Sequence, residues 1–432
     1  MSIEAARIND GAAGEGTGGS PGAPAPGPSG LGASGASARP GALLVSEALP
    51  ASRSLFRQAY HDTLTRPSAR IGLTWLFLLA FVAVFAPFLA NSRPLLMKMA
   101  GRWSSPLLRG LTPADVLLLI ATFTAIIVFA LRLSIPRSIG FIAGVLTLAA
   151  LPVLMLVKPP VNTVYSRYRE QTALGKIQWS LLPPVPYSPT DRLRDQPDAR
   201  LQPPGREHWV GTDTNGADVF SGLLHASRVA LSIGFIATSI SVVIGILVGG
   251  IMGYFVGMTD LLGMRFIEIF EAIPQLFLLI SITAFMEHRD IYVMMAVIGA
   301  TSWTGYARFL RAEFLTIRKL DYVQAAIAAG LPRRVILFRH MLANGLTPIL
   351  VSTTFGVAGA ILYESTLSFL GLGLVDEASW GSMLQQARAS GSGFIWWIAF
   401  FPGLAIFLTV FSYNLIGESL RDALDPRLRK RD

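Results

Sequence analysis

The sequence predicts an all-α polytopic membrane protein with about eight transmembrane helices. Three observations carry that expectation. Of the 432 residues, 52% are hydrophobic and only 15% are charged, against about 25% charged in ordinary soluble domains. The deficit is concentrated in eight apolar runs, near 71–90, 114–133, 138–157, 228–256, 266–285, 291–310, 346–370 and 394–417. Each meets the roughly 20 residues that a helix needs to cross a bilayer. The polar stretches between them carry no constellation of catalytic residues.

The elements follow in order. Residues 1–45 are rich in Gly, Ala, Pro and Ser, for example GEGTGGSPGAPAPGPSGLGASGASARPG. Such a composition cannot bury enough apolar surface to offset its ordering entropy, so disorder is expected. The tail lacks a basic start followed by an apolar core and is not a secretory signal. Within 46–70, the stretch SRSLFRQAYHDTLTR (52–66) places Leu55, Phe56, Ala59 and Tyr60 on one side of a helix. It reads equally well as an amphipathic helix on the membrane surface and as a solvated juxtamembrane helix. Residues 71–157 hold the first span and a further hairpin. The polar stretch 158–226 is proline-rich (Pro159, Pro160, Pro183, Pro184, Pro186, Pro189, Pro203, Pro204) and reads as an extramembrane loop packed on the protein. The core occupies 227–417, interrupted by a polar loop at 313–345, and a basic tail closes the chain at 418–432.

Lysine and arginine gather on the cytoplasmic side of membrane proteins. Arg421, Arg427, Arg429, Lys430 and Arg431 mark the tail, and Arg308, Arg311, Arg318, Lys319, Arg333, Arg334 and Arg339 mark the polar loop and its approach. Two spans separate these regions, so both can be cytoplasmic. The loops 286–290 and 371–393 hold one basic residue each and fall outside. Counting back makes the N-terminus, with Arg53, Arg57, Arg66 and Arg70, cytoplasmic too. One loop runs against the rule: 91–113 counts as outside yet carries Arg93, Lys98, Arg102 and Arg109. The net charge of +9 is therefore a matter of sidedness. Basic and aromatic residues do not interleave in the RNA-binding manner, so membrane lipid is an expected partner and nucleic acid is not.

Gly245, Gly249, Gly253 and Gly257 recur every four residues, which puts them on one helix face and invites close helix packing. Carboxylates in or near the spans are few: Glu268, Glu271 and Glu364. The first two lie beside Arg265 at the cytoplasmic start of a span, where an interfacial packing role outweighs proton coupling. Glu364, toward the outer end of its span, is a candidate for the translocation path. There is no cysteine, which excludes disulfides and thiolate metal sites. The five histidines (His61, His208, His225, His288, His340) form no HExxH and no ligand pair. Neither a GxxxxGK[ST] phosphate loop nor a GxSxG elbow occurs. No catalytic residue, metal or bound cofactor is expected.

The stretch 321–344, DYVQAAIAAGLPRRVILFRHMLAN, is a polar island between apolar segments. Asp321–Ala329 is a helix former that Gly330 can end with a left-handed cap. Pro332 suits the first turn of a second helix. Leu331, Val335, Phe338 and Leu342 then recur at i, i+4, i+7 and i+11, an apolar stripe, with Arg333 and His340 pointing elsewhere. An amphipathic helix in such a loop fits insertion into a partner's groove, although a connector folded back on the bundle fits the pattern almost as well.

This stretch resembles the "EAA" loop of ABC importer permeases, where alanines, a glycine and a final asparagine recur at this spacing. HWVGTDTNGADVFSGLLHASRVALSIGF (208–235), ESTLSFLGLGLVDEASWGSMLQQAR (364–388) and FPGLAIFLTVFSYNLIGESLRDALDPRLR (401–429) resemble the C-type permease subunit of dipeptide and oligopeptide importers. NSRPLLMKMAGRW (91–103) and RFIEIFEAIP (265–274) look more like the branch that imports microcin-type peptides. The resemblance is strong over 208–429, weak over 47–103 and absent between. It implies a type I ABC importer transmembrane domain, with the usual six-helix core plus an extra hairpin at 114–157. That is an even number of added spans, which leaves the orientation of the core unchanged.

In such proteins the loop docks on an ATPase subunit. The resemblance therefore assigns coupling to Gln324, Ala325, Ala326, Gly330, Leu331, Arg334, Val335, Phe338, His340 and Asn344. It further implies a bacterial inner-membrane permease with a homologous second permease, two ATPases that use the ATP, and an extracytoplasmic solute-binding protein. That protein is received by 158–226 and the outer loops, and residues of 228–310 and 346–370 line the path. Peptides are the first expectation for the cargo; nickel, glutathione or another small solute share the pattern. A secondary transporter would need inverted repeats or coupling charges, and a membrane scaffold would need no ATPase. The departures are Gln324 for the glutamate that names the loop, Ala343 for a usual proline, and Ala217 and Gly222 for two common arginines.

Overall fold

The computed structural model of the protein describes residues 63–158, 164–196, 198–287, 289–374, 377–389 and 393–424. The expected disordered tail over 1–45, most of the 52–66 helix, the chain beyond Leu424, His61 and His288 lie outside them. The first helix, α1 (Pro67–Leu89), opens on a proline at a position whose N–H has no helical partner anyway. Strands β1 (Leu96–Met99) and β2 (Arg102–Ser104) follow. They are joined through Ala100 (φ 47°) and Gly101 (φ 75°), the two left-handed residues that a type I′ hairpin turn requires.

The extra hairpin is α2 (Pro113–Ala130) and α3 (Ile135–Leu156). Thr112 and Asp115 cap its start reciprocally, the Asp115 N–H donating to Thr112 Oγ1 and the Thr112 N–H to Asp115 Oδ2. Beyond it come α4 (Ser166–Ala173) and β3 (Ile177–Leu181). The sheet is antiparallel in the order β2–β1–β3. The loops 91–113 and 164–196 therefore lie on the same side of the bundle, as the span count requires of them.

Helix α5 (Val219–Phe255) has 37 residues, about 55 Å at ~1.5 Å per residue, and projects beyond a hydrocarbon core of ~30 Å. Then come α6 (Met258–Glu271), α7 (Gln275–Ala284), α8 (Ile291–Thr301), α9 (Thr304–Ile317) and α10 (Asp321–Ala328). The chain closes with α11 (Arg333–Phe369), α12 (Trp380–Ala389) and α13 (Trp396–Leu424).

Six of these helices are long and apolar enough to cross a membrane, and seven spans result when α6 and α7 count as one bent span. The eight straight spans expected are corrected at two places. The segment 266–285 bends by 71° between Glu271 and Gln275, because Pro274 lacks an N–H and its ring excludes helical geometry at Ile273. The segment 291–310 breaks at Ser302–Trp303 into the short apolar α8 and the amphipathic α9. There Arg308 pairs with Glu271 and Arg311 with Asp260, while Glu268 pairs with Arg265 at 2.7 Å. Glu271 thus ties α6 to α9, while Glu268 pairs only within α6. The last helix also runs past its expected end at 417 to Leu424, by about two turns.

α5 is the central element and packs on α9, α8, α11 and α1. One core cluster joins Val219, Ala226 and Ala230 of α5 to Ile361 of α11, Trp380 of α12 and Ile398 of α13. A second holds Leu310, Phe314, Val323, Ala326, Ile336 and Met341 around the loop that follows α9. The α2–α3 hairpin stands apart: α3 packs chiefly against α2, and α2 against α1. A polar tie to the core is Arg228 of α5 bound to the buried Asp115.

Candidate functional site

The polar loop between α9 and α11 is built as two helices meeting at a Schellman turn. Gly330 takes φ +69°. Its N–H donates to Ile327 O (3.0 Å) and the Leu331 N–H to Ala326 O (3.2 Å), the bond pair that closes a helix C-terminus. A side chain at that φ would be strained by about 1–2 kcal/mol. Pro332 then receives the N–H groups of Val335 and Ile336 and begins the second helix. That helix was expected to be a short amphipathic one. It is instead the first part of α11, which runs unbroken into the membrane.

A π-turn over Ile336–Met341 sets which side of this segment faces out. The wider turn adds one residue, so Ile336 and Met341, five apart, both face the core. The expected stripe is divided accordingly. Leu331 (39%) and Phe338 (60%) are exposed, while Val335 and Leu342 are half-buried. Arg334 is exposed.

Polar bonds lock the two helices together. The Asn344 amide donates to Tyr322 Oη (2.9 Å) and His340 O (2.9 Å), and the His340 ring lies 6.5 Å from that of Tyr322. Gln324 donates to Arg318 O (2.7 Å), closing the end of α9; a carboxylate could not make that bond. Ala326 is buried against the core and Ala325 is exposed. All ten sequence-predicted loop residues therefore fall in one compact unit. Tyr322, which sequence reasoning passed over, is its hub, and its spacing from Asn344 gave no local signal.

Three glycines of the stripe lie against α9, and the fourth, Gly257, does not. A Cβ at Gly245 would come 2.4 Å from Tyr306 Cβ, at Gly249 2.3 Å from Ala307 O, and at Gly253 2.6 Å from Phe314 Cβ. α5 and α9 thus touch backbone to backbone. Gly257 has nothing within 4 Å. The helix ends at Phe255, and Val256 and Gly257 both take positive φ, so Gly257 serves a turn.

Glu364 is 1% exposed. It accepts from Ser368 Oγ (2.7 Å) and is met by Ser365 and Ser379. It lines neither the outer cavity nor the mid-bundle cavity described below.

At the opposite end of the bundle, the stretch GTDTNGAD (211–218) forms a tight turn into α5. Asp213 accepts the N–H groups of Asn215 and Ala217 (2.8 Å each), and burial pushes its carboxyl up. Asp218 caps α5 through the Ser221 N–H (2.7 Å) and holds His208 Nδ1 at 2.8 Å. Trp397 of α13 donates to Thr212 O (3.2 Å). Arg169 of α4 bridges Asp191 and Asp195, each at 2.6 Å, and this bonding holds the Asp195 carboxyl below the usual carboxylate range. Of these groups, Arg169, Asp191, Asp195, Asp213 and Asp218 line a polar cavity of about 700 Å³. Ala217 and Gly222 line it too, so their small side chains enlarge it. Among the described residues no group of three His, Cys, Asp or Glu stands together as a metal site.

Residues 245–430 match the family described as "Binding-protein-dependent transport system inner membrane component". The chain is 40% identical to the oligopeptide transport system permease protein OppC of Haemophilus influenzae over 223 residues, 51% of this chain and 71% of that protein. It is 36% identical to the dipeptide transport system permease protein DppC of Bacillus subtilis over 244 residues, 56% of this chain and 76% of that one. It is also 29% identical to the inner membrane ABC transporter permease protein YejE of Escherichia coli over 357 residues, 82% of this chain and 92% of that protein. These similarities settle the family: the chain is a multi-pass transport subunit, not an enzyme, and belongs to the inner membrane components of binding-protein-dependent transport systems.

Proposed function

We propose that this chain is the permease subunit of an ATP-driven importer of di- or oligopeptides in a bacterial inner membrane. The observation that carries the mechanism is the continuity of α11 from Arg333 to Phe369. Phe338 and Leu331 offer exposed apolar contacts near one end of a rod whose other end lies beside the outer layer. An ATPase that grips Phe338 moves the whole rod, since the helix continues past Pro348 without a break. The Asn344–Tyr322 bond and the Schellman turn keep α10 moving with it. The peptide class rests on the names of the relatives.

In this reading the partners are a homologous second permease, two ATPases that bind and hydrolyse the ATP, and an extracytoplasmic solute-binding protein. Both termini and the 313–345 loop are cytoplasmic, in keeping with Arg308, Arg311, Arg318 and Arg334 at that end. The layer formed by 91–113, 164–218 and the start of α12 faces outward and receives the binding protein. Arg93 of that layer is buried, so it belongs to the layer's interior and counts little toward sidedness. Glu364 serves the packing of α11 on α12.

The test is co-purification of the ATPases with tagged variants. Gly330→Pro, which cannot adopt φ +69°, and Phe338→Asp should both lose the ATPases while inserting in normal amount. Normal co-purification of the ATPases with both variants would sink the docking assignment.

A further inference from the structure

Midway along α5 and α11 a cavity of about 170 Å³ is walled by Thr238, Gln275, Ser302, Tyr306, Gly356 and Tyr363, among others. The backbone beside it is irregular, because the chain breaks between α6 and α7 just before Gln275. At membrane depth such backbone persists only where protein buries it or where it lines a cavity. The Gln275 amide donates to Ser302 Oγ (2.5 Å) and accepts from the Tyr363 hydroxyl (2.9 Å). One Gln275 N–H and a Tyr363 lone pair remain for a ligand.

Thr238 Oγ1 has no hydrogen-bond partner although the residue is only 3% exposed. A buried hydroxyl without a partner is costly, and this one sits on the cavity wall. The Tyr306 hydroxyl reaches the same space over Gly356, where a Cβ would stand 1.8 Å from it. Its bond to Ser352 O is long, at 3.5 Å. The wall thus combines free donors and free acceptors.

Among the described residues no carboxylate, ammonium, guanidinium or imidazole lines this cavity. An ion placed there would lose its hydration against no counter-charge. A neutral group that both donates and accepts would satisfy Thr238, Gln275 and Tyr363 together. The C=O and N–H of one peptide unit do so. We propose that this cavity is a subsite on the translocation path that hydrogen-bonds the uncharged backbone amides of a passing peptide, through Thr238, Gln275 and Tyr363. It therefore reads backbone and ignores side-chain charge. The proposal rests on the importer reading above.

The chain has no cysteine, so Thr238→Cys is a unique reporter in this subunit. In the assembled transporter, supplied with ATP and its solute-binding protein, the reaction of Thr238→Cys with methyl methanethiosulfonate is timed with and without a neutral tripeptide. Slowing by the peptide, less slowing by its N-methylated form, and no effect at Ser239→Cys on the exposed face are expected. Thr238→Val, which removes the unpartnered hydroxyl, should lower peptide uptake roughly fivefold, the loss of about one hydrogen bond, without lowering thermal stability. If the wild type imports peptide but Thr238→Cys is unprotected and Thr238→Val transports normally, the subsite is wrong and the importer reading stands. Equal protection by both peptides would also overturn amide recognition. If the wild-type assembly imports no peptide at all, the importer reading fails and this proposal falls with it.

Discussion

At Gly330 one missing Cβ decides whether α10 and α11 can meet at their observed angle. That residue was legible in the sequence because glycine two residues before proline is a local signal. Gly257 was misread for the converse reason. A four-residue glycine period does not say where the helix ends, and Val256 at φ 54° ends it. Tyr322 and Gln275 gave no local signal, since their roles arise from partners 22 and 88 positions away, and Thr238 gave none because its role arises from the lack of a partner.

The Arg169 cluster yields a pH prediction at this scale. Asp195 has its folded pKa lowered by the Arg169 bond, so its contribution to stability is complete above the unfolded carboxylate value of about 4. It is lost as pH falls through the lowered folded value. Hydrogen exchange over 164–196 should therefore rise only in acid below the ordinary carboxylate range, and Arg169→Ala should move that rise to higher pH. An identical pH profile in the variant would show that the pairing does not hold the segment.

Among the elements, α5 and α9 are joined by absence of side chain. Gly249→Ala places a Cβ 2.3 Å from Ala307 O, which backbone movement alone can relieve. Overpacking of this kind costs about 1–3 kcal/mol. Thermal unfolding in detergent should show Gly249→Ala clearly less stable than the wild type, with Gly359→Ala, whose Cβ meets nothing within 4 Å, little changed. Equal stability of the two variants would contradict the close contact.

The hairpin α2–α3 follows a different logic. Its apolar length made it plain in the sequence, but its detachment was not, because hydropathy reports lipid exposure and not neighbours. With Asp115 as its polar anchor, deletion of 113–156 would leave the partly buried Arg228 without that partner. Deletion combined with Arg228→Leu should still insert and retain the ATPases, as pull-down from membranes would register. Loss of ATPase binding in that variant would mean the hairpin supports the core after all.

Over the whole molecule, the helical membrane bundle was legible in the sequence, since apolar length is a property of composition. Sequence reasoning missed the bend at Pro274 and the break at Ser302–Trp303, because hydropathy windows run across both without a dip. It also missed the outer layer of sheet and turns, whose pairings link segments about 80 residues apart, such as Lys98 and Trp179. Those features give the account its mechanical content. In the proposed mechanism the unbroken α11 transmits force applied at Phe338 and the packed α5–α9 pair resists it, while the bent α6–α7 leaves a polar space at mid-depth.

The central claim is that this movement is driven by ATP bound to partner subunits. Peptide uptake by proteoliposomes holding the purified assembly, with ATP enclosed on the ATPase side, tests it most directly. Uptake should require ATP and the ATPases and should continue when an uncoupler collapses the proton gradient. Uptake that persists without the ATPases and stops with the uncoupler would contradict the account and identify a secondary transporter.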